Sequence, residues 1–222
     1  MNIKVNISAV LALIFLLFSC KEKPRTDLAK ITFKEQAANL ISYDDVYVGG
    51  IDNFDAPMSF ALQATESNSF AFNGVKIDSA NITFQLRSDK IRKDTLLYQG
   101  GATINQEHIK NSADLKKLLN KYQADSVIYA YRIRLKKPEL QSAILTQLVK
   151  LYGPGTKNPN TDNGLYWNLK NQHRFIFFNP DYRSLIVVDN TRLSKTCYWD
   201  PTTGNIDMGG CDIEQYKANI LK

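Results

Sequence analysis

From Asn81 to Arg87 apolar and polar side chains alternate without interruption: Ile82, Phe84 and Leu86 on one side, Asn81, Thr83, Gln85 and Arg87 on the other. Period two places successive side chains on opposite faces of an extended strand, and no helix accommodates it. The rhythm recurs where Phe60 and Leu62 alternate with Ser59 and Ala61, and where Phe70 and Phe72 flank Ala71. Asn73-Gly74 follows at once, a dipeptide that accepts the positive φ of a tight hairpin. The charged break Ser88-Asp89-Lys90 separates these runs from a further apolar stretch, Ile91 to Tyr98. Residues 39–102 therefore read as an antiparallel meander with one wet face.

Two later stretches carry a helical period instead. Leu115, Leu118, Leu119 and Tyr122 recur at i, i+3, i+4 and i+7 behind Ser112, which reads as an N-cap. Pro138 suits a first helical position, and Leu140, Ile144, Leu148, Leu151 and Tyr152 form an apolar stripe that Gly153-Pro154-Gly155 ends. Between the helices, Val127, Tyr129, Tyr131, Ile133 and Leu135 share one strand face. Arg132, Arg134 and Lys136 share the other with Ile128 and Ala130. Cations on alternate residues suit phosphate, anionic lipid or acidic polysaccharide, but a solvated strand face gives the same spacing and is the preferred reading. Strands over 165–170, 174–178 and 183–189 complete an α+β domain with a mainly antiparallel sheet and two principal helices. The helix end Tyr152-Gly153 followed by a strand with Tyr166-Trp167 loosely resembles many small bacterial envelope proteins, a likeness that carries no specific function.

Composition enters through what it excludes. Charged residues make up 23% of the 222 positions and aromatic residues 11%, which excludes a disordered or collagen-like chain. A net charge of +6 is too mild to argue for nucleic-acid binding, and no nucleic-acid partner is expected. The unbroken apolar run from Ala9 to Phe18 spans only about 15 Å as a helix, half of a hydrocarbon core, so it reads as the apolar region of a signal peptide over 1–19.

That run ends in Leu17-Phe18-Ser19-Cys20, which resembles the bacterial lipobox, although the family pattern prefers a smaller or branched residue where Phe18 stands. The resemblance implies that Cys20 becomes a lipidated first residue, anchored by acyl chains at about 0.8 kcal/mol per buried CH₂. Lys21-Glu22-Lys23-Pro24-Arg25-Thr26-Asp27 is polar, and residues 20–38 are expected to form a tether, with one α+β domain over 39–222. Lys21, in place of Asp, resembles lipoproteins sorted to the outer membrane. Lys21-Glu22 also resembles the export signal of surface lipoproteins in the Bacteroidota, which is usually richer in acid.

With Cys20 assigned to lipid, Cys197 and Cys211 remain as a pair in an oxidising compartment and are expected to form a disulfide, worth about 3 kcal/mol on a chain-entropy model. No metal site is expected: there is no Cys-x-x-Cys, and the only histidines, His108 and His173, lie far from that pair. The oxygen-rich segment Lys157 to Gly164 departs from a calcium loop, since Leu169 stands where a bidentate Glu belongs. Tyr166, Trp167, Tyr198 and Trp199 are the candidate ligand-stacking aromatics, weighed against an ordinary packing role. Ser79, Thr95 and Ser126 each follow Asp and precede an apolar residue, which resembles the O-glycosylation motif of the Bacteroidota.

Catalysis finds little support, because no nucleophile elbow, phosphate-cradling loop or zinc-binding helix is present in the sequence. No cofactor is expected. The reading is a lipid-anchored protein of the bacterial envelope, expected at the outer membrane, acting as a non-catalytic binding or assembly module for an envelope protein or glycan. The alternatives are an immunity or inhibitor lipoprotein directed against a toxic enzyme, and a hydrolase whose site is assembled from dispersed residues.

Overall fold

The computed structural model describes residues 26–41, 59–65, 70–78, 80–87, 109–157, 162–189 and 191. In chain order the elements are β1 (Thr26–Asp27), a helical turn (Leu28–Lys30), α1 (Ala37–Leu40), β2 (Ser59–Thr65), β3 (Phe70–Phe72), β4 (Val75–Lys76) and β5 (Ala80–Arg87). There follow α2 (Ser112–Lys121), β6 (Ala130–Leu135), α3 (Pro138–Tyr152), β7 (Thr156–Lys157), β8 (Leu165–Leu169), a second turn (Lys170–Gln172), β9 (Arg174–Asn179) and β10 (Ser184–Asp189). Seven strands form a sheet in the order β2-β5-β6-β10-β9-β8-β7, antiparallel at each pairing. A small sheet pairs β3 with β1 in parallel and with β4 antiparallel. The architecture is α+β and mainly antiparallel, with two long helices.

Local chemistry explains most boundaries. Asn73 and Gly74 take φ of 45° and 84°, closing the β3–β4 hairpin as their side chains permit, and Asn73 N donates to Asp27 Oδ1 at 2.7 Å. The cap of α2 is Asn111, not Ser112: its side chain accepts from Asp114 N at 2.9 Å, and Ser112 already lies in the helix. Pro138 opens α3 and Gly153, at φ 78°, ends it. Leu140, Ile144 and Leu148 of α3 are buried, whereas Leu151 is exposed, so the apolar stripe is one residue narrower than its sequence suggests.

The expected tether over 20–38 is corrected within its second half. Leu28, Ile31, Phe33 and Ala37 belong to the main core, with Leu28 and Ala37 fully buried. The polar run that defines a tether stops at Asp27, and the apolar residues beyond it lie along the sheet as a strap. Two contacts hold the strap. Tyr131 Oη donates to Leu28 O at 2.7 Å. The Arg174 guanidinium donates through Nη1 to Ala29 O at 2.7 Å and to Tyr152 Oη at 2.8 Å, and through Nη2 to Ile31 O. Phe33 lies 6.0 Å from that guanidinium and stacks on Tyr131.

Candidate functional site

Strand register assigns each side chain of the large sheet to one of two faces. Leu62, Phe84, Tyr131, Val187, Ile176 and Trp167 are cross-strand partners in one row. All six belong to the core cluster that includes Leu115 and Leu118 of α2 and Ile144 and Leu148 of α3. This is the helix-covered face.

The opposite face is built from the intervening residues: Asn81, Thr83 and Gln85; Ala130, Arg132 and Arg134; Ser184, Ile186 and Val188; Phe175, Phe177 and Asn179. The expected wet face is corrected here, since Thr83 is 3% exposed and Gln85 2%. The solvated basic face is likewise corrected at Arg132, which is buried, and holds at Arg134, which is exposed. The reason lies in β9 and β10: Phe175, Phe177, Ile186 and Val188 make both of their faces apolar, so this sheet is covered on two sides.

Polar groups in such a face require partners, and several have none. Asn81 Oδ1, Gln85 Oε1, Asn179 Nδ2 and Ser184 Oγ are sealed from water without a hydrogen bond. Each unsatisfied group costs about 1–3 kcal/mol, and a cluster of them marks a place where stability is sacrificed. Three lie in a single cross-strand row, Asn81-Arg134-Ser184-Asn179. The orientation of the Asn179 amide is fixed, because its Oδ1 accepts from Asp181 N at 3.0 Å and Tyr182 N at 3.3 Å in the β9–β10 turn. Its Nδ2 is therefore a donor left over.

The aromatic candidates divide. Trp167 is a core residue: it is 4% exposed, its Nε1 donates to Gly153 O at 2.9 Å, and its ring covers Gly155 so closely that a Cβ there would sit 2.7 Å from Cζ2. That packing removes it from the ligand-stacking set. Tyr166 is half-buried on the opposite face and stacks on Phe175, with centroids 5.8 Å apart and planes 11° apart. Ser126 is exposed beside the isolated bridge between Gln36 and Val127. Cys20, Ser79, Thr95, Cys197, Tyr198, Trp199 and Cys211 lie outside the described residues.

In the calcium-like segment, Asn163 Nδ2 donates to Asp181 Oδ1 at 2.9 Å, a contact that ties this loop to the β9–β10 turn. Among the described residues no three His, Cys, Asp or Glu side chains converge as metal ligands, and no helix is long and apolar enough to cross a membrane. Sequence reasoning missed Asn179, Ser184, Gln85 and Arg174. Single polar residues inside apolar strands, such as the ends of Arg174–Asn179 and Ser184–Asp189, were the signal available. No protein-family model, curated protein or solved structure matches this chain.

Proposed function

We propose that this protein is a lipid-anchored component of the bacterial envelope whose α+β body acts by binding rather than by chemistry. The observation that carries the reading is the apolar run Ala9–Phe18 ending in Ser19-Cys20, in register with a lipidation motif. Tethering raises the local concentration of a module for ligands on the same surface, so a site of modest affinity is sufficient. Tyr166, half-buried and stacked on Phe175, is the described aromatic that supports the binding part of the reading.

The test is fractionation of cells expressing the full chain and its Cys20→Ala variant, with metabolic palmitate labelling. The wild-type chain is expected to incorporate label and sediment with membranes, and the variant to lose both. Sedimentation of an unlabelled variant with membranes overturns the anchor.

A further inference from the structure

We infer that the strap end of the molecule lies against the lipid bilayer that holds the acyl chains of Cys20, so that the last turns of α3 and the tip of the β3–β4 hairpin face the headgroups. This deepens the reading proposed above and rests on its lipid anchor, while its geometry rests on the strap.

Chain length sets the reach of the anchor. As a free tether, the segment from Cys20 to Asn39 would span nineteen residues and about 65 Å when extended. The body begins much earlier: Thr26 and Asp27 pair with Phe70 and Ala71, and Leu28 is fully buried. Six residues then separate Cys20 from Thr26, a reach of at most about 22 Å. A domain of about 200 residues has a radius of gyration of about 17 Å, so this short link cannot bring the far side of the body to the bilayer.

Hydrogen bonds fix which surface surrounds the entry point. Asp27 Oδ1 accepts from Asn73 N at 2.7 Å, and Asn73 Nδ2 donates to Gln147 Oε1 at 2.8 Å. One nitrogen of Arg174 joins Ala29 O to the Tyr152 hydroxyl. Gln147 and Leu151 are four residues apart and share a flank of α3. The other end of α3 is tied to the β9–β10 turn, where Gln141 Nε2 donates to Pro180 O at 3.2 Å. Gln141 to Leu151 is about 15 Å of helix, so Tyr182 in that turn marks the end remote from the strap.

Chemistry suits this placement. Val149 and Leu151, 43% and 41% exposed, flank the exposed Lys150 in the last turns of α3. Apolar side chains beside a lysine match the boundary between acyl chains and negatively charged headgroups. Between Leu140 and Lys157 the sequence holds no Asp or Glu. At the entry point Asp27 is engaged by Ala29 N, Asn73 N and Lys30, and the exposed Lys76 and Asp78 beyond the hairpin tip offset each other in charge. The contact therefore rests on reach and on apolar exposure around Lys150 rather than on a large net charge. It need not be strong, since the anchor holds it at an effective concentration of about millimolar.

The test is photo-crosslinking of the lipidated full chain, reconstituted in vesicles of phosphatidylethanolamine and phosphatidylglycerol that carry radiolabelled phosphatidylethanolamine. The photoreactive p-benzoylphenylalanine replaces Leu151 or Tyr182, both exposed, so neither replacement disturbs the core. Lipid is expected to crosslink several-fold more at position 151 than at position 182. A Gly/Ser insertion of about 12 residues between Arg25 and Thr26 adds about 40 Å of extended reach and should bring the two yields together. Equal yields, or a higher yield at position 182, in a chain that carries palmitate and sediments with the vesicles overturn this inference and leave the anchor standing. Yields unchanged by the insertion also overturn it, because reach then does not set the orientation. A chain without palmitate removes the anchor and this inference with it.

Discussion

Replacing Arg174 by methionine should release the N-terminal strap from the body. The guanidinium is buried on the helix-covered face, and its acceptors are the carbonyls of Ala29 and Ile31 and the hydroxyl of Tyr152. Among the described residues no carboxylate pairs with it, and its Nε has no acceptor. Hydrogen bonds to a charged group contribute about 1.5–3 kcal/mol each. Losing the two that fasten the strap therefore costs about 3–6 kcal/mol. Removing a buried, incompletely paired cation returns about 1–2 kcal/mol, since methionine fills much of the space without a desolvation penalty. A net loss of about 1–5 kcal/mol follows, measured by urea unfolding of the full chain. Hydrogen exchange should localise the change: amides of residues 28–33 lose protection well before those of β9 and β10. Arg174→Lys keeps the charge but not the planar fork, and should fall between the two. Equal stability of the Arg174→Met variant and the wild-type chain, with residues 28–33 still protected, would refute the assignment of Arg174 as the clasp.

Gly155→Ala should destabilise by about 1–3 kcal/mol through overpacking, because the new methyl meets the buried Trp167 ring at 2.7–3.0 Å; a melting temperature equal to wild type contradicts the close approach. Tyr131→Phe should cost about 1–2 kcal/mol by leaving Leu28 O without its donor, read from chemical denaturation. Burial pushes the Tyr131 phenol well above its ordinary value near 10, opposed by the Arg174 charge. In the unfolded chain it ionises near 10, so its contribution is intact below that pH and declines as pH rises further; Tyr131→Phe should flatten this alkaline decline in stability. Burial raises the Glu35 carboxyl, but hydrogen bonds from Thr32 N, Thr32 Oγ and Lys34 N outweigh it and hold the group below its ordinary value. Its contribution is present above the unfolded value and lost as pH falls through the native one, so Glu35→Gln should reduce the acid dependence of strap protection in hydrogen exchange.

Alternation across 81–87, Asn73-Gly74, Pro138 and Gly153 were enough to place strands, a hairpin and a helix, because each is dictated by backbone geometry within a few residues. The same local logic assigned Tyr166 and Trp167 to opposite faces but not to their roles, since facing the helices or facing away depends on partners far along the chain. Arg132 and Arg134 show the limit again. Identical in kind and two residues apart on one strand face, they differ in exposure because their cross-strand neighbours differ: Thr83 and Ile186 flank Arg132, whereas Asn81 and Ser184 flank Arg134 at the sheet end.

Periodicity and turn chemistry are short-range quantities, and they determined most of the elements and the α+β class. Burial and hydrogen-bond satisfaction are long-range, and only the assembled sheet decided that Leu28, Ala29, Ile31, Phe33 and Ala37 are core rather than tether. The same assembly set Asn81, Ser184 and Asn179, carried by three separate strands, in one line beside Arg134 with their polar atoms unmet.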